Sequence, residues 1–240
     1  DRAQQPMVDQ TLGLAIAYNG AIYNYKELRS ELSCAGYQFF SDGDTEVILK
    51  AFHKWGAACV ERFHGMFAFA IWDRTTGVVT LARDRLGIKP MYLAETKGAL
   101  RFASNMQALL ATGEIDSEID PVAFHHYMNF HAVVPAPRTI LKGVRKLPPA
   151  TTLTIQPDGK REERVYWAPT YATPEDERNL SFDDWKMRVL DSLRVAVRRR
   201  LVADVPVGVL LSGGVDSSLI TGLIAEETGG AGLETFSVGF

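Results

Sequence analysis

The stretch best equipped for chemistry is Ser212-Gly213-Gly214-Val215-Asp216-Ser217-Ser218, which follows the apolar run Val207-Gly208-Val209-Leu210-Leu211 and precedes a helical pattern. Two adjacent glycines let a backbone bend closely around an anion, consecutive N–H groups then form a concave donor nest, and a helix N-terminus adds positive potential. The hydroxyls of Ser212, Ser217 and Ser218 add donors, and Asp216 offers a hard oxygen ligand for a phosphate-bound Mg²⁺. The chemistry that suits this set is polyphosphate binding. A Walker A loop would need a Lys after its last Gly, a dinucleotide fingerprint would need G-x-G-x-x-G, and a nucleophile elbow would need Gly where Leu210 stands. The competing reading is a glycine-rich strand-to-helix turn capped by Ser and Asp.

The elements around this loop predict an α/β parallel sheet: helix 184–201, strand 205–211, helix 216–227 and strand 235–240 alternate. Upstream the pattern differs. Residues 14–23 read as two short strands around an Asn19-Gly20 turn, a strong hairpin signal. Asn24 and Glu27 have capping-box spacing before a helix carrying Leu28 and Leu32 and ending near Gly36. Asp44 opens a second helix with Val47, Ile48, Ala51 and Phe52 as its buried stripe, closed by Gly56. Four β-rich runs, 66–72, 78–82, 90–94 and 100–103, predict an antiparallel meander. A helix over 121–130 and β character over 146–155 follow, and the polar 156–182 segment reads as a linker. The expected domains are 1–155 and 183–240. The second is too short to cover a sheet of its own, so further strands are expected after it.

With 46% hydrophobic and 23% charged residues the 240-residue chain has a globular composition, not a disordered or fibrous one. A net charge of −3 supplies no electrostatic footprint for nucleic acid or an anionic membrane, and neither is an expected partner. The longest uninterrupted apolar run, Met66 to Trp72, is far short of the roughly 20 residues of a spanning helix. Two cysteines, Cys34 and Cys59, exclude a disulfide scaffold and point to a reducing cytoplasm; both read as buried structural thiols. His125, His126 and His131 resemble a metal cluster, but adjacent helical residues point about 100° apart, which favours ordinary helix histidines. Arg198-Arg199-Arg200 suits the C-terminal end of a helix dipole. Asp1 is not an initiator residue, and Phe240 ends the chain inside an alternating apolar run, so a fragment of a longer protein is expected.

The Ser212–Ser218 string resembles the pyrophosphate-binding loop of ATP pyrophosphatases. Extended upstream through Arg200–Gly208, it is similar to that of the glutamine-hydrolysing asparagine synthetases. Asn19-Gly20-Ala21-Ile22-Tyr23-Asn24, Asp44-Thr45-Glu46-Val47-Ile48-Leu49, Gly65-Met66-Phe67-Ala68-Phe69-Ala70 and Arg83-Asp84-Arg85-Leu86-Gly87-Ile88-Lys89-Pro90 resemble that family's glutaminase domain, and Pro135–Ile140 and Lys146–Pro149 continue the match. The wording is closest to a bacterial subgroup that amidates N-acetylglutaminylglutamine rather than aspartate.

The resemblance implies an α+β N-terminal-nucleophile glutaminase domain with αββα layers, followed by the start of a HUP-like ATP pyrophosphatase domain. It implies glutamine and ATP as substrates, Mg²⁺ as cofactor, and a carboxylate acceptor, aspartate or N-acetylglutaminylglutamine; it also admits a homodimer. The acceptor would be adenylated with release of pyrophosphate, and ammonia from glutamine would displace AMP. Asn19 and Gly20 match the oxyanion hole, and Asn19 and Asp44 the glutamine site, Asp44 taking the α-ammonium while remaining suited to cap its helix. Leu210, Leu211, Ser212, Gly213, Gly214, Asp216, Ser217, Ser218 and Val238 match the ATP site, with Asp216 as the Mg²⁺ ligand; for Leu210, Leu211 and Val238 burial in the sheet explains the residue types equally well. Three features depart from the pattern. Ala21 replaces a Glu that many asparagine synthetases carry, and the nucleophile, a Cys at the mature N-terminus, has no counterpart here, nor has the substrate-binding Arg near it. The chain as given is therefore not expected to hydrolyse glutamine. A β-lactam synthetase-like cyclase with a dead glutaminase site and a non-enzymatic interaction module are the alternatives.

Overall fold

The computed structural model describes residues 4–230 and 232–239. The chain divides into two compact units, Asp1–Pro169 and Thr170–Phe240. In chain order the first holds β1 (Met7–Asp9), β2 (Leu14–Ile22), α1 (Tyr25–Cys34), α2 (Asp44–Trp55), β3 (Gly65–Asp73), β4 (Val79–Arg83), β5 (Tyr92–Thr96), β6 (Ala99–Ala103), α3 (Met106–Leu110), α4 (Pro121–Asn129), β7 (Arg145–Lys146), β8 (Thr151–Ile155) and β9 (Arg161–Val165). Six strands form one antiparallel sheet in the order β1-β2-β3-β4-β8-β9, and three form a second in the order β6-β5-β7.

Strand alternation builds four layers from this set. Phe67, Phe69 and Ile71 of β3 face α1 and α2, where they meet Leu28, Leu32, Val47 and Ile48. The intervening Ala68 and Ala70 face the other way, toward Met91, Leu93 and Leu147 beside the second sheet. Ala94 on the far face of that sheet packs with Leu109 of α3 and with Val144. The expected αββα sandwich is thus present. Small residues on the inner face of β3 leave room for the second sheet, and the large aromatic ones cover the helices.

Four local expectations are corrected. Residues 14–22 form one continuous strand instead of a hairpin, because Asn19 and Gly20 pair with Ala68 and Phe67 of β3 along its whole length. The meander is split between the sheets: β4 and β5 are joined by a bend in which Asp84 accepts from the N–H groups of Phe67, Leu86, Ile88 and Lys89. Beside it the Arg83 guanidinium donates to the carbonyls of Lys89, Leu147 and Gly87, which fastens the bend to the chain entering β8. No capping box forms at α1. The Asn24 side chain instead donates to Arg62 O and accepts from His64 N, tying the helix start to β3. The linker read over 156–182 contains β9, whose Arg161, Glu163 and Arg164 are ion-paired and whose ladder with β8 makes it the sheet's edge.

The second unit follows the predicted alternation more closely. It comprises α5 (Phe182–Arg200), β10 (Gly208–Leu210), α6 (Val215–Thr228) and β11 (Glu234–Phe236), with β10 and β11 parallel. Ser181 and Asp184 form a capping box at the start of α5. Val197, Val209, Leu223 and Ile224 make its core, and Arg194 and Arg198 pair with Glu226 and Glu227 across the two helices.

One buried charge cluster in the first unit has a large energetic consequence. Lys50 Nζ lies 2.9 Å from Asp9 Oδ2 and 3.0 Å from Glu46 Oε1, all three side chains being at most 5% exposed. Glu46 also accepts from the N–H groups of Phe40 and Ser41 and from the Ser41 hydroxyl. Burial alone would raise the Asp9 pKa, but the Lys50 hydrogen bond and charge and two backbone donors outweigh it, so the pKa is lowered. The stability Asp9 contributes is therefore complete above the ordinary carboxylate pKa and is lost as pH falls through the lower, folded value. Removing the cation strands two buried carboxylates: Lys50→Met is expected to cost about 3–5 kcal/mol. A urea midpoint for the first unit that is unchanged in this variant would contradict that placement.

Candidate functional site

A candidate small-molecule site lies on the open edge of β2. β1 pairs with β2 from Leu14 to Ile16 only. Beyond that point the edge N–H groups find side-chain acceptors: Tyr18 N donates to Gln5 Oε1 at 2.6 Å and Ile22 N to Asp44 Oδ2 at 2.9 Å. Successive N–H groups of a strand point to alternate sides. Tyr23 N, on the β3 side, accordingly bonds His64 O. By that alternation the Gly20 N–H belongs to the same edge as those of Tyr18 and Ile22. An N–H held in that position can donate to an oxygen on which negative charge develops.

Glycine is required at this point for a packing reason. A Cβ on residue 20 would lie 2.2 Å from Met66 O and 2.9 Å from the Tyr18 ring, and one on Gly65 would lie 2.2 Å from Ala21 O. The turn signal read from Asn19-Gly20 was therefore a close backbone approach. The Asn19 side chain, pointing away from that of Tyr18, shares a face with its register partner Ala68. The structure brings Asp44 against Tyr18 and Ile22, on both sides of Asn19-Gly20, while no hydrogen bond joins Asp44 to Asn19 among the described residues.

Asp44 does not cap its helix. Gly43 occupies the N-cap position, and the Asp44 carboxylate, one residue further on, turns to β2. Tyr18 and Gln5 were missed from sequence. A tyrosine in an alternating strand reads as half-buried packing, and nothing in its spacing announces that its hydroxyl reaches a carboxylate 26 residues away.

The glycine-rich loop of the second unit has the predicted strand–loop–helix setting. Leu211 N donates to Phe236 O and Ser237 Oγ to Leu211 O, fixing the exit of β10. Gly213 then takes φ +81°, a left-handed conformation that favours glycine. Gly214 is the extended N-cap of α6 and offers no side chain, so no side-chain acceptor fills the first turn. Ser212 Oγ and Ser217 Oγ stand 3.1 Å apart, and Asp216 and Ser218 are exposed beside them. With only two strands of the sheet in this chain, Leu210 and Val238 are both 79% exposed and Leu211 is half-buried. With two strands the sheet covers Val209 but leaves its neighbours in solvent.

The remaining candidates are placed as follows. Cys59 is buried and its thiol pKa is pushed up by desolvation, whereas Cys34, expected to be buried, is exposed because it lies across the helix from Leu28 and Leu32. His126 stacks on Phe130 with ring centroids 5.4 Å apart, and His125 contacts Asn129. Among the described residues no three His, Cys, Asp or Glu side chains are grouped to hold a metal ion. None of the described helices is long and apolar enough to cross a membrane.

Comparison with known proteins adds two family matches. Residues 1–167 match a glutamine amidotransferase domain model, and residues 188–240 match an asparagine synthase model. The chain is 37% identical over 243 residues to glutamine-hydrolysing asparagine synthetase 3 of Bacillus subtilis, an alignment covering 99% of this chain and 39% of that protein. It is 38% identical over 236 residues to asparagine synthetase 1 of the same organism, covering 98% and 36% respectively. The chain therefore spans well under half the length of these curated relatives. Among solved structures, the glutamine phosphoribosylpyrophosphate amidotransferase of B. subtilis superposes with a TM-score of 0.48 at 17% identity, over 98% of this chain and 48% of that one.

The close approach at Gly20 yields a direct test. Gly20→Ala forces β2 away from the Met66 carbonyl, and overpacking of this kind costs about 1–3 kcal/mol. The denaturation midpoint of the first unit should fall accordingly, and amide exchange at Met66 to Ala68 should accelerate; an unperturbed midpoint would show that the strands do not approach so closely.

Proposed function

The chain belongs to the glutamine amidotransferase family, whose domain model matches residues 1–167, and from that premise we propose that the complete protein is an ATP-dependent amidotransferase of the asparagine synthetase type. The observation that carries the glutaminase half is the β2 edge, where the Asp44 carboxylate accepts from the Tyr18 hydroxyl and the Ile22 N–H on either side of Gly20. In this reading the glutamine side-chain carbonyl lies near Asn19 and Gly20, whose amide and N–H stabilise its oxygen as it becomes an oxyanion. Asp44 receives the α-ammonium. The attacking thiol is neither Cys34, at the far end of α1, nor the buried Cys59; it belongs to an N-terminal cysteine of the complete protein.

The loop 212–218 serves the second half-reaction. An acceptor carboxylate oxygen attacks the α-phosphorus of ATP, the bond to the β-phosphate bridging oxygen breaks, and pyrophosphate departs toward the N–H groups at the start of α6 and the Ser212, Ser217 and Ser218 hydroxyls. Ammonia then adds to the acyl carbon, AMP leaves with the bonding pair, and loss of a proton gives the carboxamide. Asp216 is the residue here that would hold Mg²⁺. One carboxylate fits that ion, which draws most of its ligands from phosphate oxygens and water and shields the charge of the leaving pyrophosphate. The exposed Leu210 and Val238, with Leu211, suit an apolar wall for the adenine base. The acceptor proposed is N-acetylglutaminylglutamine, and the reducing cytoplasm its compartment.

The complete protein should release AMP and pyrophosphate from ATP only when an acceptor is present. Asp216→Asn should raise the KM for MgATP by about 10- to 100-fold, the loss of one charge-assisted contact. Turnover with aspartate alone rejects the dipeptide acceptor, and no pyrophosphate with any carboxylate rejects the ligase reading.

A further inference from the structure

The Asp44 carboxylate is held asymmetrically, and the asymmetry assigns work to a residue that the family match leaves without a role. Both recorded contacts of its side chain end on the same oxygen: the Tyr18 hydroxyl at 2.6 Å and the Ile22 N–H at 2.9 Å reach Oδ2. Oδ1 has no hydrogen-bond partner among the described residues. Gly43, the preceding residue, is an extended N-cap with no side chain, so nothing on the helix itself orients the carboxylate. The Tyr18 ring lies against Gly20, and only the missing Cβ of that glycine lets it run along the strand to Asp44.

We infer that Tyr18 is the positioning residue for recognition of the α-ammonium of glutamine: with Ile22 it occupies Oδ2 and so aims Oδ1 of Asp44 at the substrate. The direction of the hydrogen bond is fixed. Burial and the neighbouring Asp44 charge push the Tyr18 pKa up, which keeps the phenol protonated and makes it the donor. A carboxylate that has already accepted two hydrogen bonds on one oxygen cannot rotate without losing them, so the free oxygen stays where a cation can meet it. Asp44 with only the Ile22 N–H would pivot about that single bond. Specificity follows from the same geometry. The site should favour an amide carrying a free α-ammonium over one of the same length that lacks it, and should owe that preference to the hydroxyl of residue 18 as well as to the carboxylate of residue 44.

The inference rests on the amidotransferase reading, and the experiment separates the two. In the complete protein, glutamine hydrolysis is measured for wild type and Tyr18→Phe with L-glutamine and with 4-carbamoylbutanoate, which keeps the amide and carboxylate but lacks the ammonium. The variant is expected to show a KM for L-glutamine raised about tenfold, from loss of one hydrogen bond to a charged group. Its kcat should stay within about twofold, since positioning of the ammonium does not touch the reacting carbonyl. Its kcat/KM for 4-carbamoylbutanoate should be unchanged. Tyr18→Met, which also removes the hydroxyl, replaces the Phe variant if that protein does not fold. An unchanged KM for L-glutamine, or an equal loss with both substrates, overturns the inference while the amidotransferase reading stands. A wild-type protein that hydrolyses neither substrate overturns both.

Discussion

Two glycines, Gly20 on β2 and Gly65 at the start of β3, set the constraint on which the first unit depends. Gly20 has the Met66 carbonyl, and Gly65 the Ala21 carbonyl, where a Cβ would be. This lets nine residues of β2 run unbroken against nine of β3. The pairing fixes which N–H groups of β2 point inward and which face the open edge. A single side chain at either glycine would separate the strands at the place where the edge N–H groups of residues 18, 20 and 22 are presented. The edge donors are therefore a consequence of strand packing, and a hairpin turn at Asn19-Gly20 would have pointed them elsewhere.

Around that ladder, carboxylates act as backbone anchors. Asp44 holds α2 to β2, Glu46 holds the loop at 40–41, and Asp84 holds the bend between the sheets through four N–H groups. A carboxylate accepting several N–H bonds is well suited to fixing irregular backbone, because it satisfies donors that no ladder reaches. The cost is burial of charge. Glu46 and Asp9 meet it with a shared Lys50, and the Arg83 guanidinium near Asp84 has its N–H groups spent on three carbonyls. Asp44 and two members of the buried triad, Glu46 and Lys50, thus lie within two turns of the same helix α2.

Legibility from sequence divides along physical lines. Helices were readable in part: Val47, Ile48 and Ala51 of the expected stripe of α2 are buried and Phe52 is half-buried, but Thr45, Glu46, Leu49 and Lys50 are buried too, so the helix is enclosed rather than one-sided, while α5, β10, α6 and β11 alternate as read. The glycine loop was readable because its setting is local, a strand before it and a helix after it. What was not readable depends on partners distant in sequence. Asn19-Gly20 carries identical residues in a turn and in a close strand contact, and only β3, more than 40 residues on, decides between them. The charged run at 161–165 looks like linker because an edge strand exposes all five residues, and exposure removes the hydrophobic alternation by which strands are recognised. Cys34 needed only helical geometry, since the face holding Leu28 and Leu32 excludes a residue two further along.

The two candidate sites use the same element of chemistry in different ways. At the start of α6 the donors are N–H groups left over by the helix itself, presented past a glycine N-cap with no side chain to compete for them. At β2 the donor is left over by a sheet ladder that ends early: β1 stops pairing at Ile16, and beyond it the edge has no further strand partner among the described residues. The first arrangement gathers several donors on one concave surface, which matches a ligand with many equivalent oxygens. The second offers one N–H with a carboxylate close by, which matches a ligand that carries a single reacting carbonyl and a cation at a fixed spacing. Donor number thus distinguishes the two proposed sites, several N–H groups at the start of α6 for a polyphosphate and one on β2 for an amide, although both are built from backbone amides beside glycine.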